Sequence, residues 1–180
     1  MAAYRAGDSS AFKELYDRYA SVLYRTMLRD LRRPEEARDL VQQTFLQLHR
    51  ARYDFDPSQR LRPWIFTIAM NLKREHFRRV KRRPESPLEG EAIEEVAEPV
   101  AGDERVAATR ALRQGLSELP PDQREVIELH WFDGLSFSEV AQVVGASLSA
   151  VKVRAHRGYT RLRRLLEPKA PDSAPGGEKK

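Results

Sequence analysis

No cysteine occurs in the 180 residues of this chain, which excludes disulfide staples and thiolate metal sites and leaves packing to supply the stability. Histidine is scarce too. His49, His76, His130 and His156 lie far apart with no pair at ligand spacing, so neither a metal centre nor another cofactor is expected. No apolar run approaches the roughly 20 residues of a membrane-spanning helix, and no signal-peptide pattern opens the sequence, which makes a reducing, cytoplasmic setting the expectation. No stretch alternates apolar and polar residues long enough to argue for a sheet. A phosphate-cradling glycine loop is missing, and the Asp54/Asp56 pair has no third acid beside it, so an enzyme is not expected.

What the chain does have is charge, unevenly distributed. Lys and Arg number 32 against 27 Asp and Glu, a net +5 that favours an anionic partner. Residues 1–83 carry nineteen basic side chains against ten acidic ones, residues 84–106 carry one against eight, and residues 107–167 carry nine against seven. Two basic blocks are thus joined by an acidic strap. The strap, rich in Pro, Glu and Gly without periodicity, reads as a flexible linker that fixes no geometry between the blocks, and residues 168–180 read as a disordered tail.

Apolar spacing makes both blocks helical, and an all-α chain of two small domains is expected. Phe12, Leu15, Tyr16, Tyr19, Val22, Leu23 and Met27 place one amphipathic helix over residues 9–30. Pro34 followed by Glu35 and Glu36 looks like the first turn of a second, where proline lacks no needed donor and acids meet the helix dipole. Its stripe is Ala37, Leu40, Val41, Phe45 and Leu48. Pro63 opens a third helix running to about Arg79, closing a small bundle. In the second block, helical pattern resumes at Leu112, Leu116 and Leu119 and again after Pro120-Pro121, and Asp133-Gly134 is a turn signal.

After that turn, residues 136–166 have the order of a helix-turn-helix. SFSEVAQVVG is a short apolar helix that Ser136 and Glu139 start as a capping box, with Ala141 small where helices cross and Gly145 free to take the left-handed turn. Ser147 is a plausible N-cap for the next helix. That helix, SLSAVKVRAHRGYTRLRRLL, carries six Lys or Arg and no acid, and Val151 returns to the core. Such a helix suits the DNA major groove.

Three stretches in this order resemble the extracytoplasmic-function (ECF) group of bacterial RNA polymerase sigma factors: DLVQQTFLQLHR at 39–50, LRPWIFTIAMNLKREHFRR at 61–79, and residues 119–166. The resemblance implies a division of labour. Asp39, Gln42, Gln43 and Leu46 would dock on the polymerase core, although many relatives carry glutamate where Gln43 stands. Arg62, Trp64, Asn71, Lys73, Arg74 and Arg78 would engage the unpaired strand of the minus-ten element, Trp64 being by its periodicity better placed for the core than for stacking. The loop 53–60 matches the segment that pockets a flipped base in this family. Lys152, Val153, His156 and Arg157 would read the minus-thirty-five duplex, with Arg154 and Arg161 on phosphate or in water. The expected domains are therefore 1–83, the linker 84–106 and 107–167, in a protein monomeric when free, with RNA polymerase core, promoter DNA and an anti-sigma factor as partners. The competing reading is a conventional helix-turn-helix regulator, which would dimerise and bind duplex DNA alone.

Overall fold

A computed structural model of the chain describes residues 1–82 and 103–167, with side chains from 106 onward in the second part. Every regular element among them is a helix: α1 (Ala2–Arg5), α2 (Ser9–Leu31), α3 (Pro34–Arg50), α4 (Leu61–Lys81), α5 (Asp103–Ser117), α6 (Pro121–Trp131), α7 (Phe137–Val144) and α8 (Leu148–Leu166). The tail at 168–180 and most of the expected linker lie outside the described residues. Helix α5, however, already begins at Asp103, inside the stretch expected to be linker.

Local signals set the helix ends. The Asp8 carboxylate caps α2 by accepting from the Ser10 backbone N–H at 2.8 Å. That helix closes on Arg32 in the left-handed conformation (φ 55°), whose N–H returns to the Leu28 carbonyl at 2.9 Å. Pro34 occupies the first turn of α3 with Glu35 and Glu36, as its sequence requires. In the N-terminal bundle Leu23, Met27, Ala37, Leu48, Ile65, Phe66, Ala69 and Met70 are fully buried. Each large side chain among them contributes about 1.5–3 kcal/mol of burial.

The C-terminal bundle follows the capping chemistry closely. Ser136 Oγ accepts from the Glu139 N–H at 3.3 Å while the Ser136 N–H donates to Glu139 Oε2 at 2.9 Å, completing the capping box of α7. Gly145 ends α7 at φ 65°, and Ser147 Oγ accepts from the Ala150 N–H at 3.2 Å to start α8. Val151, Ala155 and Gly158 form the buried side of α8. A Cβ on Gly158 would sit 2.6 Å from Ile127 Cδ1, so α6 and α8 meet where only glycine fits without a shift.

The two bundles are not held at arm's length. Helix α4 packs along α7, and one apolar core runs from Leu23, Phe45 and Phe66 through Val126 and Leu129 to Val140 and Val151. The sequence offered a tether and no geometry; side chains of both bundles supply the geometry instead. Their polar contacts are centred on Asp133 in the turn after α6, 4% exposed.

Candidate nucleic-acid interface

Helix α8 turns its apolar side to the core and its basic side outward. Lys152, Val153, His156, Arg157 and Arg161 are all exposed, Val153 at 47%. His156, Arg157, Thr160, Arg161 and Arg164 line one shallow hollow with Gln123 of α6, a concave cationic surface of the kind that tracks phosphates. Arg154 is placed differently. It is half-buried, with Nε 3.4 Å from Asp122 Oδ2, so it braces α8 against the start of α6.

The expected strand-binding set on α4 divides in two. Asn71 and Arg78 are exposed, and Trp64 is half-buried against the core with its ring 5.0 Å from that of Phe55. The other three cations are already occupied. Lys73 is the clearest correction: it is buried, its ammonium 2.5 Å from Asp30 Oδ2 of α2, and it links two helices of the bundle instead of facing solvent. An ammonium on a face with an acid opposite is drawn inward, which periodicity along one helix does not reveal. Arg74 donates to Glu125 of α6 at 2.9 Å and to Asn71 Oδ1 at 2.9 Å. Arg62 donates to the backbone carbonyl of Asp133.

Loop 51–60 between α3 and α4 is clamped from an unexpected side. The four-residue α1 brings Arg5 to the Phe55 carbonyl at 3.1 Å and the Tyr4 hydroxyl to His49 Nδ1. Phe55 is buried while Tyr53 is 59% exposed, with the Arg52 guanidinium 4.3 Å over its ring. Ala2, Arg5, Ala6, Tyr53, Phe55 and Pro57 line a hollow between α1 and the loop. Two hydrogen bonds from Ser58 hold the Asp56 carboxyl below its ordinary range and tighten the turn. No periodicity is visible over four residues, so α1 was not among the expected elements.

On α3, Asp39, Gln42, Gln43 and Leu46 share one exposed face, spaced i, i+3, i+4 and i+7. Leu46, 48% exposed, supplies an apolar centre to that polar strip. Leu40, Val41, Thr44, Phe45 and Leu48 are buried on the opposite side.

Between the bundles lies a set of charges that no linear reading singled out. Asp133 accepts from Thr26 Oγ1 at 2.7 Å and from Arg29 at 2.9 and 3.1 Å. Arg60 reaches Glu139 at 3.4 Å. Burial, and next the charge of Asp30, push the Glu128 carboxyl up to about 7, against the pull of Arg29, Lys73 and Arg124. For Glu139, burial works against the charge, but hydrogen bonds from Ser136 and Arg60 outweigh it and leave the group below its ordinary value. Among the described residues no three His, Asp or Glu side chains gather as metal ligands, and no helix is long and apolar enough to cross a membrane.

Comparison with known proteins matches each bundle to a named part of one family. Sigma-70 region 2 matches residues 15–83 and Sigma-70 region 4 matches residues 109–162. The chain is 36% identical to the RNA polymerase sigma factor CarQ of Myxococcus xanthus, over 92% of this chain and 95% of that one. It is 29% identical to the ECF RNA polymerase sigma factor SigW of Bacillus subtilis, over 90% and 92%. Among solved structures it is similar to the sigma factor RpoE of Bartonella quintana in complex with the anti-sigma factor NepR, with a TM-score of 0.68, 27% identity, and coverage of 89% of this chain and 99% of that one. CnrH in complex with the cytosolic domain of CnrY gives a TM-score of 0.67 at 29% identity, over 92% and 93%. With both regions matched in order across two helical bundles, the chain belongs to the ECF sigma factors of RNA polymerase.

Proposed function

We propose that this chain directs RNA polymerase core to promoters by dividing the task among three surfaces. The exposed strip Asp39, Gln42, Gln43 and Leu46 on α3 docks on core. Lys152, Val153, His156 and Arg157 of α8 read the minus-thirty-five duplex in the major groove, with Arg161 on phosphate. Asn71, Arg78, Arg62 and Arg74 on α4 hold the unpaired strand at the minus-ten element, beside the loop that carries Tyr53. The polymerase performs the chemistry, and the chain contributes recognition alone, in the cytoplasm where the polymerase works.

The observation that carries this reading is the two-sidedness of α8: Val151, Ala155 and Gly158 are buried, while five groups able to meet bases or phosphates stand free on the other side. CnrH and RpoE were each solved with a partner, the latter named as an anti-sigma factor, and we infer a partner of the same class for this chain. Co-purification with mass spectrometry tests that part, and recovery of polymerase subunits alone would argue against a dedicated inhibitor.

Gel filtration with a core-polymerase pull-down separates this function from a conventional regulator. A sigma factor elutes as a monomer and is retained by core. A dimer that binds promoter duplex without core would support the regulator instead.

A further inference from the structure

A helix of four residues does not hold its own shape in water, because nucleating it costs more than one turn of hydrogen bonds returns. Tertiary contacts therefore fix α1. The Tyr4 ring is 8% exposed and lies 5.2 Å from that of Phe12 on α2, and its hydroxyl bonds to His49 Nδ1 at the end of α3. Gly7, at φ 98°, turns the chain from α1 into the Asp8 cap of α2, and the Asp8 N–H returns to the Ala3 carbonyl at 3.1 Å. Anchored in this way on two helices, α1 extends Arg5 to the Phe55 carbonyl at 3.1 Å, 50 positions away in sequence. Loop 51–60 has turns of its own on either side of that contact: the Asp54 N–H donates to the Ala51 carbonyl at 3.0 Å and the Ser58 N–H to Asp56 Oδ1 at 2.9 Å. Phe55 stands between the two turns and is held from outside, its ring against Trp64 and its carbonyl by Arg5.

We propose that Tyr4 and Arg5 are positioning residues for strand recognition, through which α1 sets the shape of loop 51–60 and, by way of the loop, the preference for one base of the unpaired strand. The inference rests on the strand-binding role given above to α4 and its adjoining loop. An aromatic face accepts every base, so stacking on the exposed Tyr53 does not discriminate by itself. Discrimination comes from how the wall beside that ring fits the edge of the base. Phe55 and Pro57 form this wall together with α1, around a hollow of about 370 Å³, and the Phe55 backbone is the part that Arg5 fixes. Tyr4 is buried and does not line the hollow, so its influence on base choice passes through the seating of α1 and not through contact with DNA.

Three variants of the full chain test this. Tyr4→Phe removes one hydroxyl at nearly constant packing, Arg5→Met removes the guanidinium but keeps most of the stem, and Gly7→Ala strains the turn at φ 98° where the added Cβ meets nothing within 4 Å. Each is bound to purified core polymerase and offered a pool of randomised single-stranded 20-mers, and sequencing of the retained strands reads the base preference at every position. The expected result is a several-fold loss of enrichment at one position, the same for all three variants, with the other positions unchanged. Tyr4→Phe is decisive because Arg5 lines the hollow and Tyr4 does not. Seating of the loop is read separately: Trp131→Phe leaves Trp64, which touches Phe55, as the sole tryptophan, and acrylamide should quench it more strongly in each of the three variants. Preference retained at every position would overturn the proposal, and so would an equal loss at all of them, since α1 would then act on stability alone. Unchanged quenching in Arg5→Met would overturn the hold of α1 on the loop. No enrichment by the unaltered chain with core over core alone would instead overturn the strand-binding role of α4, while the hold of α1 on the loop would still stand on the quenching result.

Discussion

Arg29 of α2 grips Asp133 by both carboxylate oxygens, at 3.1 and 2.9 Å, across 104 positions of sequence. Asp133 is 4% exposed, and its remaining side-chain partner is the Thr26 hydroxyl. Removing one member of such a pair strands a charge in a poorly solvated site, where the other can be neither hydrated nor neutralised cheaply. Arg29→Ala should lower the stability of the whole chain by about 1–3 kcal/mol, the lower end reflecting the partial exposure of Arg29. Urea unfolding followed by circular dichroism measures this. A loss below about 0.5 kcal/mol would mean that the pair contributes no more than a surface ion pair.

Glu128 gives the seam a pH dependence whose sign follows from its displacement. Its folded value of about 7 lies above the ordinary 4.5, so between these values the folded chain binds more protons than the unfolded one. The groups facing it are Asp30, Arg29 and Lys73 from the N-terminal bundle and Arg124 from its own helix. Its contribution is most favourable below pH 4.5, declines as pH rises through the window, and levels off above about 7. The slope is bounded by about 1.4 kcal/mol per pH unit for one group. Glu128→Gln should raise stability at pH 8 and flatten this part of the profile, measured by thermal unfolding from pH 5 to 8. An unchanged slope would rule Glu128 out as its source.

Two glycines in helices make opposite predictions. Alanine is worth about 1 kcal/mol over glycine within a helix, wherever its methyl has room. At Gly158 the new Cβ meets Ile127, itself 3% exposed, at 2.6 Å and Gln123 Cβ at 3.4 Å, so Gly158→Ala should destabilise by about 1–2 kcal/mol net. At Gly115 the near atom is the end of the Leu162 side chain, at 2.7 Å, and Leu162 is only partly buried and can swing aside. Gly115→Ala should be neutral or stabilising by up to about 1 kcal/mol. Thermal melts of the two variants side by side test the contrast.

Within α8, affinity and specificity should separate. Arg157 stands in the exposed set to which the proposed function gives base reading, and on that proposal its loss should cost about 1–3 kcal/mol at one upstream base pair. Arg163 lies in the last turn, exposed, and on the same proposal it meets phosphate, which carries no sequence information. Arg163→Ala should weaken all sequences alike and reduce the salt dependence by about one counterion. Competition binding against a library of point-substituted promoters reads both. Equal losses on every sequence for both variants would count against the assignment.

Much of the fold was legible because its signals are local. The Ser136/Glu139 capping box, the Gly145 turn, the Ser147 cap and the burial of Val151 each depend on residues within a few positions of one another. The helices of the N-terminal bundle were legible from their period for the same reason. The seam was not, since Arg29, Asp30 and Lys73 meet Glu128 and Asp133 only after both bundles have formed. Each then reads in sequence as an ordinary surface charge, and Asp133 with Gly134 as a turn. Lys73 shows the cost most plainly, because it stands beside Arg74 in the sequence of α4 while the acid that claims it lies on α2. Helix α1, four residues long, has no period to read.

Run-off transcription with purified core polymerase on fragmented genomic DNA tests the central claim most directly. The account predicts discrete start sites that appear only when this chain is added, share a common pair of upstream elements, and vanish with Arg157→Ala at promoters that depend on its base. Core that initiates identically with and without the folded, uninhibited chain would contradict it.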